Sequence, residues 1–150
     1  MKCLKNVAFA CFSTLVLCWL PAVAQEAGSP PVTDAMLQDP DPQDWLMWRR
    51  TLNSWGHSPL DEINRSNVGN LRMAWTRSLQ SGIQEGTPLV YDGVMYVVNG
   101  QWTFAIDVAT GRQIWRTPVA LESGTRRAAI TRGAATIYEG KLFRVTVDNR

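Results

Sequence analysis

The side chains best suited to chemistry are charged residues just ahead of two β-rich runs: Glu85 in IQEGTP and Arg132 in ITRG, with Arg126 and Arg127 a few positions before the latter. A carboxylate accepts hydrogen bonds, and a guanidinium presents a planar fork to a pair of anionic oxygens. Position alone favours solvated surface charges for all four, because isolated Glu and Arg are mostly exposed. His57 is the only histidine. It lies between Gly56 and the Ser58-Pro59 step, reads as a loop residue, and lacks the partners a metal site requires. Asp39, Asp41 and Asp44 cluster without the glycine turn or distal glutamate of a calcium loop, so they read as a solvated acidic segment.

Compartment narrows the chemistry further. MKCLKN carries Lys2 and Lys5 and precedes the apolar run VAFACFSTLVLCWLPAVA, which ends in the small-x-small step Ala22-Val23-Ala24. This is a secretory leader over residues 1–24, with cleavage expected before Gln25 and export to the periplasm. The run is broken by Ser13, Thr14 and Pro21, which disfavours an uncleaved anchor. Cys3, Cys11 and Cys18 all lie in the leader, so the exported part has neither a disulfide framework nor a thiolate metal site. The whole chain has 15 Lys+Arg against 13 Asp+Glu. Removing Lys2 and Lys5 balances the two, and the slight basicity then argues for neither nucleic acid nor an anionic membrane.

The elements that must position these residues follow from local pattern. Residues 25–44 are rich in Pro, Asp and Gly and read as an extended lead-in. Trp45, Trp48, Leu52 and Trp55 recur at helical spacing behind Asp44 as a possible N-cap, which predicts a short helix of about three turns. NLRMAWTRSL alternates, with Leu71, Met73 and Trp75 on one side, and predicts a strand. LVYDGVMYVVN places Asp92-Gly93 between two β-rich runs, a hairpin signal because such turns need positive φ. Trp102, Phe104 and Ile106 alternate in the next run, and a fourth strand is expected over 112–117.

The pattern then repeats. GTPLVYDGVMYV (86–97) aligns without gaps on GAATIYEGKLFR (133–144) at an offset of 47 residues. Gly86, Tyr91 and Gly93 fall on Gly133, Tyr138 and Gly140, too many matches of chemistry to favour two unrelated hairpins. Four short strands at this period are the signature of propeller blades. The expected fold is therefore an all-β β-propeller, here one full blade with parts of its neighbours and a short N-terminal helix, occupying residues 45–150. A propeller needs about four blades or more to close, so the sequence is expected to be the N-terminal piece of a longer one.

Between the third and fourth strands stands AIDVATGRQIW. Asp107 and Thr110 can bond local backbone in a tight corner, Gly111 can take the left-handed position, and Ala105 leaves room. Trp115 can then lay its ring on a neighbouring blade. The pattern A-x-D-x-x-T-G-x-x-x-W, filled by Ala105, Asp107, Thr110, Gly111 and Trp115, resembles the tryptophan-docking motif of the pyrroloquinoline quinone (PQQ) dependent dehydrogenases. GHSPLDEINRSNVGNLRMAW and IQEGTPLVYDGVMYVVNG are similar to segments of the methanol and ethanol dehydrogenase-like branch.

This resemblance implies an eight-bladed propeller that oxidises an alcohol by hydride transfer to PQQ. A Ca²⁺ or lanthanide ion would act as Lewis acid, and a c-type cytochrome or similar acceptor would take the electrons. It implies cofactor contacts for Glu85 and Arg132. Where the better-known relatives stack two adjacent cysteines on PQQ, this sequence has Arg126 and Arg127, which either cover the quinone face by stacking or belong to a solvated loop. The family's metal ligands and catalytic aspartate come from later blades, so no catalytic residue is expected here, and this piece alone is expected to be inactive. A non-enzymatic propeller that binds protein partners is the alternative.

Overall fold

The structure, a computed structural model, describes residues 28–79, 85–121, 123 and 135–146; the leader lies outside them. Strands β1 (Leu89–Tyr91), β2 (Val94–Val98), β3 (Trp102–Asp107) and β4 (Gln113–Pro118) form one antiparallel meander in that order. The β1–β2 turn holds Asp92 at φ 48° and Gly93 at φ 73°. Two successive left-handed residues match the right-handed twist of the flanking strands and set the register Tyr91↔Val94, Val90↔Met95, Leu89↔Tyr96. β3 is buried through Thr103–Ile106, whereas β4 is largely exposed, so the meander runs from an inner to an outer edge. A register shift at Ala105/Ile106 leaves Ile114 unpaired, and Ala105 pairs with Trp115 just beyond.

The repeat is present in three dimensions. Strands β5 (Ala135–Tyr138) and β6 (Lys141–Arg144) form a second hairpin, and its turn residues Glu139 and Gly140 take φ 46° and 69°, close to the 48° and 73° of their counterparts 47 positions earlier. One complete blade and the opening hairpin of the next are therefore in place, as the sequence pattern predicts.

The short N-terminal helix exists, but not where the tryptophan spacing places it. α1 spans Asp34–Gln38 inside the lead-in expected to be extended, and the Thr33 hydroxyl accepts from the Met36 N–H at its start. Residues 45–55 are instead a bridge followed by turns. The Trp45 N–H and C=O bond Val90 of β1 at 2.7 and 2.9 Å, and the Leu46 C=O accepts from Ile137 of β5 at 3.0 Å. Arg49, Arg50 and Ser54 have φ of 61°, 72° and 56°, which no right-handed helix accommodates. Asp44 Oδ1 accepts from the Asp92 N–H, across the fold, rather than capping a helix.

Trp45-Leu46 therefore acts as a wedge between the inner strands of the two blades. Leu46 and Val32 are fully buried in one cluster with Leu89, Tyr91 and Ile137. Val32 C=O accepts from Glu139 N, and the Tyr91 hydroxyl donates to Pro30 O at 2.7 Å. A second cluster of Val97, Phe104 and Ile106 packs on the blade face that Trp75 and Leu79 cover.

The strand expected over 70–79 does not form: Asn70 ends a 3-10 turn, Val68–Asn70, and residues 71–79 join no ladder among the described residues. Only the second half of this stretch packs: Trp75, Arg77 and Leu79 are half-buried, whereas Leu71 and Met73 are exposed at 55% and 80%. The alternation was correct in phase, but the apolar face continues past the surface that covers it.

Candidate functional site

Strand polarity sorts the loops into two ends. β1, β3 and β5 start where β2, β4 and β6 finish. One end, the rim, therefore carries the entry to β1 with Glu85, the Asn99–Gln101 loop, the chain leaving β4, and residues 145 and 146. The opposite end carries the turns Asp92-Gly93, Asp107–Gly111 and Glu139-Gly140.

Glu85 is exposed at the rim and makes no hydrogen bond or ion pair with another described residue. Just below it, Gly86 and Pro88 join Trp75, Leu79, Met95 and Val97 around an open apolar cavity of about 220 Å³. Arg126, Arg127 and Arg132 lie outside the described residues. The repeat still assigns Arg132 a place in the pattern: the 47-residue offset that carries Gly86 onto Gly133 carries Glu85 onto Arg132. The acid and the base thus occupy the same position in consecutive repeats, each immediately before the glycine that precedes an inner strand.

At the same rim Asn99 is buried and closes its own loop, its Oδ1 accepting from Gln101 N at 2.9 Å and Trp102 N at 2.8 Å. The Arg144 guanidinium donates into this loop from the next blade. Sequence reasoning passed over Arg144, although the repeat offered a signal, since the aligned residue is the core Val97.

The docking motif has a built receiving end. Asp107 Oδ1 accepts from Thr110 N at 2.8 Å and from Thr110 Oγ1 at 2.6 Å, and those bonds hold its carboxyl below the usual range. Gly111 takes φ 70° and its N–H reaches Asp107 O at 2.8 Å. The indole of Trp75 lies directly over this glycine and donates to Val108 O at 2.8 Å. Arg77 adds bonds to Gly111 O at 3.3 Å and Gln113 Oε1 at 2.6 Å. Trp75, from the segment before the blade, thus makes on this corner the kind of docking contact that the sequence expects Trp115 to make on a neighbouring blade. Trp115 itself remains 41% exposed, with Tyr96 as a tilted ring neighbour at 6.0 Å.

The turn end is acidic. Asp41, Gln43, Asp44, Tyr91 and Asp92 border an open cavity of about 510 Å³. Burial raises the Asp44 pKa, and the Asp41 and Asp92 carboxylates add to the rise while the Asp92 N–H opposes it. No group of three or more His, Cys, Asp or Glu among the described residues could hold a metal ion. His57 is exposed. No helix among the described residues is long and apolar enough to cross a membrane.

Residues 45–149 match the family described as PQQ glucose/ethanol/alcohol dehydrogenase, β-propeller domain. The dehydrogenase subunit of the quinone alcohol dehydrogenase of Gluconacetobacter polyoxogenes is 43% identical over 119 residues, covering 75% of this chain and 16% of that protein. The quinohemoprotein alcohol dehydrogenase ADH-IIG of Pseudomonas putida is 34% identical, covering 98% of this chain and 21% of that protein. Its solved structure superposes with a TM-score of 0.64 at 31% identity, covering 79% of this chain and 18% of that one. A europium-containing methanol dehydrogenase superposes with a TM-score of 0.60 at 26% identity, covering 76% of this chain and 21% of that one. The chain thus spans about a sixth to a fifth of the length of these relatives.

Proposed function

Since the chain belongs to the PQQ-dependent glucose/ethanol/alcohol dehydrogenase β-propeller family, we propose that it supplies the N-terminal blade of a periplasmic quinoprotein that oxidises an alcohol and passes electrons to a c-type cytochrome or similar acceptor. The observation that carries this reading is the extent of the match, residues 45–149. It takes in the wedge, the whole blade, the docking corner and the second hairpin rather than a lone repeat motif.

Bound at the rim, PQQ with a Ca²⁺ or lanthanide ion would supply the hydride acceptor and the Lewis acid. The residues of this chain fit the holding of such a group. PQQ is a flat, multiply carboxylated quinone, Glu85 is an exposed acceptor with no competing partner among the described residues, and a guanidinium at 132 would pair with a ligand carboxylate through its fork. Consecutive repeats present these two residues at equivalent places, so a flat ligand lying across the blade tops would meet both. In this reading the guanidinium plane of Arg126 or Arg127 stacks on the quinone. In this reading residues 1–24 deliver the protein to the periplasm, and the chain by itself does not turn over alcohol, because the family's metal ligands and catalytic base belong to other blades.

The test is reconstitution of the polypeptide containing this blade with PQQ and Ca²⁺, followed by alcohol-dependent dye reduction. Arg132→Ala should lower the activity at least tenfold by removing a charge-assisted pair worth about 1.5–3 kcal/mol. Unchanged activity in that variant would refute the site assignment, and no PQQ uptake by the parent protein would refute the functional reading.

A further inference from the structure

Arg144 occupies the position that the buried Val97 holds in the first repeat, 47 residues earlier. A charge at a core position costs desolvation that a valine avoids, and burial indeed lowers the Arg144 pKa. What the guanidinium gains is directional. Its Nη1 donates to Trp102 O at 3.1 Å and to Thr103 Oγ1 at 3.0 Å, and its Nη2 donates to Asn99 O at 2.9 Å. All three acceptors sit at the β2–β3 connection of the other blade. That connection is already stiff, because Asn99 Oδ1 binds the Gln101 and Trp102 N–H groups and Asn99 N reaches Trp102 O at 2.9 Å.

The other ties between the two blades come from the lead-in. Ile137 N and Thr136 Oγ1 bond Leu46 O, Glu139 N bonds Val32 O, and the Tyr138 hydroxyl donates to Asp34. These ties lie along β5 from its middle to its turn. At the rim Arg144 joins the blades through three hydrogen bonds.

We infer that Arg144 is a positioning residue that sets the spacing of the two blades at the rim, the end that carries Glu85. Without it the blades stay pinned at the wedge and open at the rim. The consequence for PQQ rests on the function proposed above; the spacing itself does not.

Residues 25–150 contain no cysteine, so once any cysteines elsewhere in the polypeptide are replaced by serine, introduced pairs can be spin-labelled without background. One pair, Pro88→Cys with Val145→Cys, reports the rim; the other, Ala109→Cys with Lys141→Cys, reports the turn end. Arg144→Met, close to isosteric and uncharged, should lengthen or broaden the rim distance distribution by several ångströms and leave the turn-end pair unchanged. Arg144→Lys, which cannot reach all three acceptors together, should fall between. PQQ affinity measured by equilibrium dialysis should drop about tenfold in Arg144→Met but not in Phe104→Leu, a destabilised core variant with the clip intact. Unchanged rim distances would overturn the inference, as would equal broadening of both pairs, which would make Arg144 a general stabiliser. A changed rim distance with unchanged PQQ affinity would overturn only its role toward the cofactor.

Discussion

Replacing Gly111 by alanine tests the docking corner in energetic terms. An added Cβ would meet Trp75 at 2.6 Å from Cδ2, 2.7 Å from Cε3 and 2.9 Å from Cγ, and the backbone sits at φ +70°. The left-handed conformation costs a non-glycine residue about 1–2 kcal/mol. The indole cannot tolerate those contacts, so it must lift, giving up its hydrogen bond to Val108 O, about 1 kcal/mol, and part of its packing on the Val97, Phe104 and Ile106 cluster, about another 1 kcal/mol. The total is about 3–4 kcal/mol. Gly93 provides the control: its φ is +73° and an added Cβ meets nothing within 4 Å, so Gly93→Ala bears only the conformational cost. Urea denaturation followed by tryptophan fluorescence should therefore separate the two variants by about 2 kcal/mol, roughly 1 M in midpoint. In a Trp75→Ala background the cost of Gly111→Ala should fall to that of Gly93→Ala. Equal costs in the parent background would refute the docking of Trp75 on this corner.

Leu46→Ala empties a fully buried site shared by both blades and should cost about 2–5 kcal/mol in the same denaturation assay, with hydrogen exchange rising in both hairpins. Asp44 has its folded-state pKa raised, mainly by burial, above the ordinary 3.8. Its stabilising contribution is complete below that ordinary value and is lost as pH rises through the folded pKa, so Asp44→Asn should stabilise the protein at neutral pH and flatten its stability above pH 4 or so. Asp107 behaves oppositely: the Thr110 bonds lower its pKa, and its contribution is present above the unfolded value and lost as pH falls through the lower folded one. Thr110→Ala should therefore reduce the loss of stability at acid pH that a pH series of thermal melts records.

The distribution of correct and incorrect readings has a physical basis. Asp92-Gly93, Glu139-Gly140 and the Asp107–Gly111 corner were legible because each is built by residues within five positions of one another. Left-handed φ and side-chain-to-backbone bonds are local facts that local sequence encodes. The repeat was legible because two copies of one hairpin need the same chemistry at the same offset, and that offset also puts Glu85 and Arg132 in equivalent places. Their assignment as cofactor residues came only from the resemblance, since nothing local separates a ligand contact from a solvated charge.

The Trp45–Trp55 spacing was misread because the competing partners are remote. Val90 and Ile137 take the backbone groups a helix would use, and no propensity flags left-handed Arg49, Arg50 and Ser54. In the same way Trp75 meets Gly111, and Arg144 meets Asn99, across 36 and 45 positions. By itself the sequence determined the four strands of the blade, their turns and the repeat, whose forces act over a few residues. The tertiary structure decided which tryptophan fills the docking corner, what separates the inner strands, and why a charge stands where the first repeat keeps a valine, because each depends on surfaces that meet only once the chain has folded.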